Sequence, residues 1–104
     1  MTDLPAKPPE ECDTMIEVRV GVDATDRELM DLLARRFGYM RAAARIKQER
    51  ESVRDEERKA YVVAAAIKDA ETRGLPVDVI GDLWERLVEG SIAFEFAEWD
   101  RIRD

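Results

Sequence analysis

The chain has 104 residues, of which 45% are apolar and 39% charged, a length and balance that suit one domain with a modest core. Twenty-four Asp and Glu against 17 Lys and Arg leave a net charge of −7, which excludes nucleic acid or an anionic membrane as a partner for the surface as a whole. There is no histidine and one cysteine, Cys12, so histidine triads, histidine metal sites and an internal disulfide are excluded.

Residues 1–11 carry Pro5, Pro8 and Pro9 and read as a flexible N-terminal arm before a helical domain over residues 12–104. Asp13 or Thr14 caps a first helix that the pattern carries to about Arg50. Its a-type positions are Met15, Val22, Leu29, Arg36 and Ala43, and its d-type positions Val18, Thr25, Leu32, Tyr39 and Ile46. Gly21 and Gly38 each weaken that helix by about 1 kcal/mol relative to alanine. Asp55 caps a second helix, with Glu56 and Glu57 at its positive end. Tyr61, Val62, Ala65, Ala66 and Ala70 form the apolar face, and Gly74 supplies a left-handed stop. Leu75-Pro76 opens a third helix through Val77, Ile80, Leu83, Trp84, Leu87, Val88, Ile92 and Phe94 to near Arg101. No strand-like alternation of useful length is present, so the fold class is all-α. No signal segment and no apolar run near the roughly 20 residues of a membrane span are read, and a cytoplasmic location is expected.

A first helix of that length extends roughly 50 Å, whereas a compact domain of this size is roughly 35 Å across. Either it breaks near a glycine, giving a kinked monomeric bundle, or it projects and is covered by a second copy. An apolar projecting helix is best buried by an identical partner, so an intertwined homodimer is expected.

Arg36, Met40, Ala43 and Lys47 share one helix face at i, i+4, i+7 and i+11. Two cations on an apolar face can clamp a small dianion; equally, Arg36 can pair with a glutamate while Lys47 reaches out to water. Ser91 and Glu95 form another i, i+4 pair beside Trp84 and Val88, and Glu95 is then either a site residue or the partner of Arg36. Arg58, in the first turn of the second helix, reads by position as a solvated cation. Arg19 is roughly 42 Å from Lys47 along one straight helix. It reaches a pocket around Arg36 and Lys47 only from an antiparallel partner chain; otherwise it pairs with a nearby glutamate on the surface.

From about Pro9 to Arg101 the chain resembles the all-helical chorismate mutase family of the AroQ type. The resemblance is carried by Glu17-Val18-Arg19, Val22-Asp23-Ala24-Thr25-Asp26, Leu32-Leu33-Ala34-Arg35-Arg36 and Ala44-Arg45-Ile46-Lys47. It continues through Val53-Arg54-Asp55-Glu56-Glu57-Arg58, Gly74-Leu75-Pro76 and Leu87-Val88-Glu89-Gly90-Ser91-Ile92-Ala93-Phe94-Glu95. It implies intertwined dimers of three-helix chains with active sites shared between subunits, needing no cofactor and no metal. Arg19 of the partner chain and Arg36 would bind the two substrate carboxylates. Lys47 would donate to the ether oxygen of the enolpyruvyl group, with Glu95 on its other side, and Asp55, Arg58 and Ser91 would line the pocket. Residues 48–54 would form a mobile lid.

Lys7-Pro8-Pro9-Glu10-Glu11-Cys12 and the run Arg36-Phe37-Gly38-Tyr39 more closely resemble a sister branch, the isochorismate pyruvate lyases, which release salicylate and pyruvate. Lys59 stands where typical bacterial mutases have a glutamate that holds the ring hydroxyl. Glu95 stands in place of their usual glutamine, and Ser91 matches the mutases. Chorismate mutase is the expected function and isochorismate pyruvate lyase the alternative. A non-catalytic helical dimer is the third reading.

Overall fold

A computed structural model describes residues 5–104; the first four residues of the arm lie outside the described residues. Three α-helices carry the chain, α1 (Met15–Ile46), α2 (Glu56–Thr72) and α3 (Val77–Arg103), with short 3-10 turns at Pro9–Glu11 and Arg50–Ser52. No strand occurs among the described residues, as the apolar periodicity requires. The chain divides into two compact units, Met1–Arg36 and Phe37–Asp104, and the boundary falls within α1.

In the first unit, Thr14 settles the choice of cap. Its hydroxyl accepts from the Glu17 amide at 3.2 Å, while Glu17 Oε1 accepts from the amides of Asp13 and Thr14 at 2.8 and 3.2 Å. This reciprocal box satisfies donors that a helix start leaves open. The other oxygen of Glu17 pairs with the Lys7 ammonium, tying the arm to the first turn of α1. The helix is unbroken through Gly21 and Gly38; two glycines are a small penalty against the cooperativity of 32 helical residues. It ends at Ile46 rather than near Arg50, because residues after Lys47 turn into the 3-10 segment.

In the second unit, α2 and α3 pack together around Val53, Val88 and Ile92, with Val62, Val63, Trp84, Phe96 and Trp99 against them. Asp55 caps α2 as expected, its Oδ1 accepting from the Arg58 amide at 3.0 Å. At the other end Gly74 has φ 67°. The Leu75 amide donates to Ala70 and the Gly74 amide to Glu71, the paired bonds that close a helix through a left-handed residue. Helix α3 then runs two residues past the expected Arg101.

The segment between α1 and α2 is tied to α3 along its length. Arg50 grips Asp100 with two bonds at 2.9 and 3.0 Å and lies 4.7 Å over the Phe96 ring. Val53 is buried in the core, and Arg54 reaches Glu89.

Every bulky apolar residue of the heptad stripe on α1 is exposed: Met15, Val18, Val22, Leu29, Leu32, Tyr39 and Ile46. Ala44 is the buried residue of that helix.

Candidate active site

Lys47 is the first residue beyond α1, and Glu95 lies in the middle of α3. The stripe Val88, Ser91, Ile92 and Glu95 is the face of α3 that the core covers, so a carboxyl group and a hydroxyl are drawn in with the apolar side chains. Glu95 is only 4% exposed and Ser91 3%. Residues that polar are rarely so buried without a partner. For Glu95 the partner is Lys47, whose Nζ lies 2.8 Å from Oε2. The approach is off the line of a hydrogen bond, so Oε2 has ionic compensation but no aligned donor. The Lys47 ammonium also donates to the Val53 carbonyl at 3.4 Å. Ser91 donates to the Leu87 carbonyl at 2.7 Å, one turn back along α3.

The remaining expected site residues are distributed as follows. Arg19 is exposed and Arg36 half-buried on the part of α1 that belongs to the first unit. Asp55 spends one carboxylate oxygen on the helix cap. The Arg58 guanidinium sits 5.5 Å from the Tyr61 ring centroid on an exposed surface. Within the second unit, then, Lys47, Ser91 and Glu95 share buried or half-buried surroundings, and Asp55 and Arg58 stand at the exposed start of α2.

Lys59 has a clear occupation. Its Nζ meets Glu85 Oε1 at 2.6 Å and Glu89 Oε2 at 2.7 Å. Hydrogen bonds to Glu85 and then Glu89 hold the ammonium above its ordinary range. Arg54 and then Lys59 hold the Glu89 carboxyl down to about 2. These four residues, Arg54, Lys59, Glu85 and Glu89, form a charge network joining the start of α2 to α3.

Two residues near Lys47 escaped the sequence reading. The Trp99 indole donates to the Lys47 carbonyl at 3.0 Å, and Arg103 donates to the same oxygen at 2.6 Å. The only signal was a basic residue in the last turn of a helix, which is common enough to pass unremarked.

A family model described as chorismate mutase type II matches residues 18–96, most of the chain, including Arg19, Arg36, Lys47, Asp55, Arg58, Ser91 and Glu95. The chain belongs to that family. Membership makes it an enzyme of the all-helical chorismate mutase class, acting on an anionic substrate. It is also 28% identical over 97 residues to an isochorismate pyruvate lyase of Pseudomonas aeruginosa, a match that covers 93% of this chain and 96% of that protein. Among the described residues no helix is long and apolar enough to cross a membrane.

Proposed function

We propose that the protein is a chorismate mutase, working as an intertwined homodimer in which each pocket draws on both chains. The observation that carries this reading is the Lys47–Glu95 pair: a cation and a buried carboxyl group 2.8 Å apart, with one carboxyl oxygen lacking an aligned donor. An ether oxygen entering there would meet the Lys47 ammonium on one side and have Glu95 on the other. The rearrangement of chorismate to prephenate requires no nucleophile, and a chain without histidine offers none of the usual base-activated kind. What the residues supply is orientation and charge. Arg36, with Arg19 from the second copy, would fix the two carboxylates and hold the reactive conformer, removing an entropic barrier. Lys47 would stabilise charge on the ether oxygen as its bond breaks, an effect of about 3 kcal/mol by comparison with a single oxyanion donor. A millionfold acceleration needs about 8 kcal/mol, so the clamps and Lys47 must act together. Arg58, Asp55 and Ser91 would complete the wall.

The dimer reading is supported by the exposed heptad stripe, because seven bulky apolar side chains along one stripe of α1 stand in water in a single chain. A second copy is the partner that gives them burial.

The lyase is the second reading, supported by the Pseudomonas aeruginosa relative and by Lys59. With its ammonium held by Glu85 and Glu89, position 59 offers no carboxylate to a ring hydroxyl. Incubation with chorismate and with isochorismate in parallel separates the two. Phenylpyruvate after acid treatment of the chorismate reaction is the expected result, and salicylate fluorescence from isochorismate alone would assign the lyase. Turnover of neither substrate would leave the non-catalytic dimer.

A further inference from the structure

The C-terminal turn of α1 poses a problem that α3 solves. The last carbonyls of a helix have no partners within it, and many helices close them with a left-handed residue. Here the positive-φ residue among those described is Gly74, at the end of α2, so α1 closes by other means. Arg103 donates through Nη1 to the Ala44 carbonyl at 3.0 Å and through Nη2 to the Lys47 carbonyl at 2.6 Å. The Trp99 indole adds a second donor on the Lys47 oxygen at 3.0 Å. The guanidinium carbon lies 4.1 Å from the Trp99 ring centroid, so the two side chains brace each other through a cation–π contact. A cation at this place also complements the negative end of the helix dipole.

The consequence falls on Lys47. It stands just past the last residue of α1, and its amide still bonds to the Ala43 carbonyl at 2.9 Å. Its main-chain oxygen is gripped by Trp99 and Arg103, and its ammonium lies against Glu95 and the Val53 carbonyl. The same helix, α3, thus supplies Glu95 and, one and two turns later, the side chains that fix the lysine's backbone. We propose that Trp99 and Arg103 are positioning residues for Lys47, setting where its ammonium meets the substrate without touching the substrate themselves. This rests on the reading of Lys47 as the group that stabilises the breaking ether bond. The cost of losing the brace is an error of placement, and a misplacement of about 1 Å lowers turnover by roughly a hundredfold.

Trp99→Phe keeps the ring and removes the indole donor; Arg103→Gln removes the charge and the fork; Arg103→Lys restores a charge that reaches one carbonyl at a time. The full-length variants are assayed below their melting temperatures, on whichever of chorismate and isochorismate the unaltered protein converts, with helix content checked by circular dichroism. The expected result is that Trp99→Phe lowers kcat by roughly tenfold and Arg103→Gln by roughly ten- to a hundredfold, KM staying within about twofold and Arg103→Lys recovering part of the loss. If Arg103→Gln does not fold, Trp99→Phe and Arg103→Lys decide the matter by the same split. An unchanged kcat in the folded variants, or a loss appearing only in KM, overturns the proposal. Lys47→Ala runs alongside: if it retains turnover, the catalytic reading of Lys47 fails and takes this proposal with it. If Lys47→Ala is inactive while the Trp99 and Arg103 variants keep full kcat, the positioning role alone is wrong.

Discussion

Arg54 and Glu89 meet through two bonds, Nη2 to Oε1 at 2.8 Å and Nη1 to Oε2 at 3.1 Å. The planar fork matches the carboxylate in a way that a lysine in place of Arg54 would not. The contact crosses from the residue before the α2 cap to the middle of α3, and Lys59 approaches the same carboxylate at 2.7 Å. The network therefore secures the segment that leads out of Lys47.

This network gives stability a definite pH window. Glu89 is held down to about 2, chiefly by Arg54 and then Lys59. Glu17 is held down to about 2, chiefly by Lys7 and then the Asp13 amide. A carboxyl whose value is lower in the folded than in the unfolded chain stabilises fully above the unfolded value, near 4.5, and loses that contribution as pH falls toward 2. Melting temperature should hold steady near neutrality and fall steadily from about pH 4.5 to 2. Glu89→Gln should flatten part of that fall, and added salt should shrink the difference because the pairs are partly exposed to solvent. A Glu89→Gln curve parallel to the unaltered one would count against the assignment.

The proposed sharing of each pocket between two chains makes a complementation experiment decisive. Arg19→Ala and Lys47→Ala should each be inactive alone, with Lys47→Ala lowering kcat by roughly a hundred- to a thousandfold. Mixed under conditions of verified subunit exchange, they should recover activity, because one pocket in each mixed dimer has both residues intact. No recovery would remove Arg19 from the site of a second chain.

Glu95 can donate a hydrogen bond to an ether oxygen only while it carries its proton. We expect Glu95→Gln, which keeps a donor at the same place, to retain most of kcat/KM, and Glu95→Ala to lower it by roughly a hundred- to a thousandfold. Equal losses in the two variants would take Glu95 out of the donor role.

Gly74 has φ 67°, a conformation that costs an L side chain about 1–2 kcal/mol. No neighbouring atom lies within 4 Å of where a Cβ would stand, so the penalty of Gly74→Ala is purely that of the backbone. A chain of this size should melt about 5–10 °C lower while keeping its activity. An unchanged melting temperature would mean that the turn relaxes.

The helices were legible because apolar periodicity and end signals agree. Asp55 and Gly74 mark α2 at both ends, and each does what its chemistry suggests. Thr14 and Glu17 had the spacing of a capping box, yet Asp13 beside them was an equally good cap from composition alone. Val53 was not read as core, since it sits among Glu51, Ser52, Arg54 and Asp55 with no periodic neighbours; tertiary contact with Val88 and Ile92 buries it. The Lys47–Glu95 pairing was legible only through the family resemblance, because the two residues are far apart in sequence. The grip of Trp99 and Arg103 was invisible for a deeper reason: its acceptors are main-chain carbonyls, and every residue type has one.

Nine bulky apolar side chains of α1, from Met15 to Ile46, are left in water by a single chain, among them Met30 at 68% and Ile46 at 69% exposed. Such a surface makes dilution a thermodynamic variable. In the proposed homodimer the melting point would climb with the amount dissolved, and activity per milligram should fade in the most dilute assays before any residue is altered.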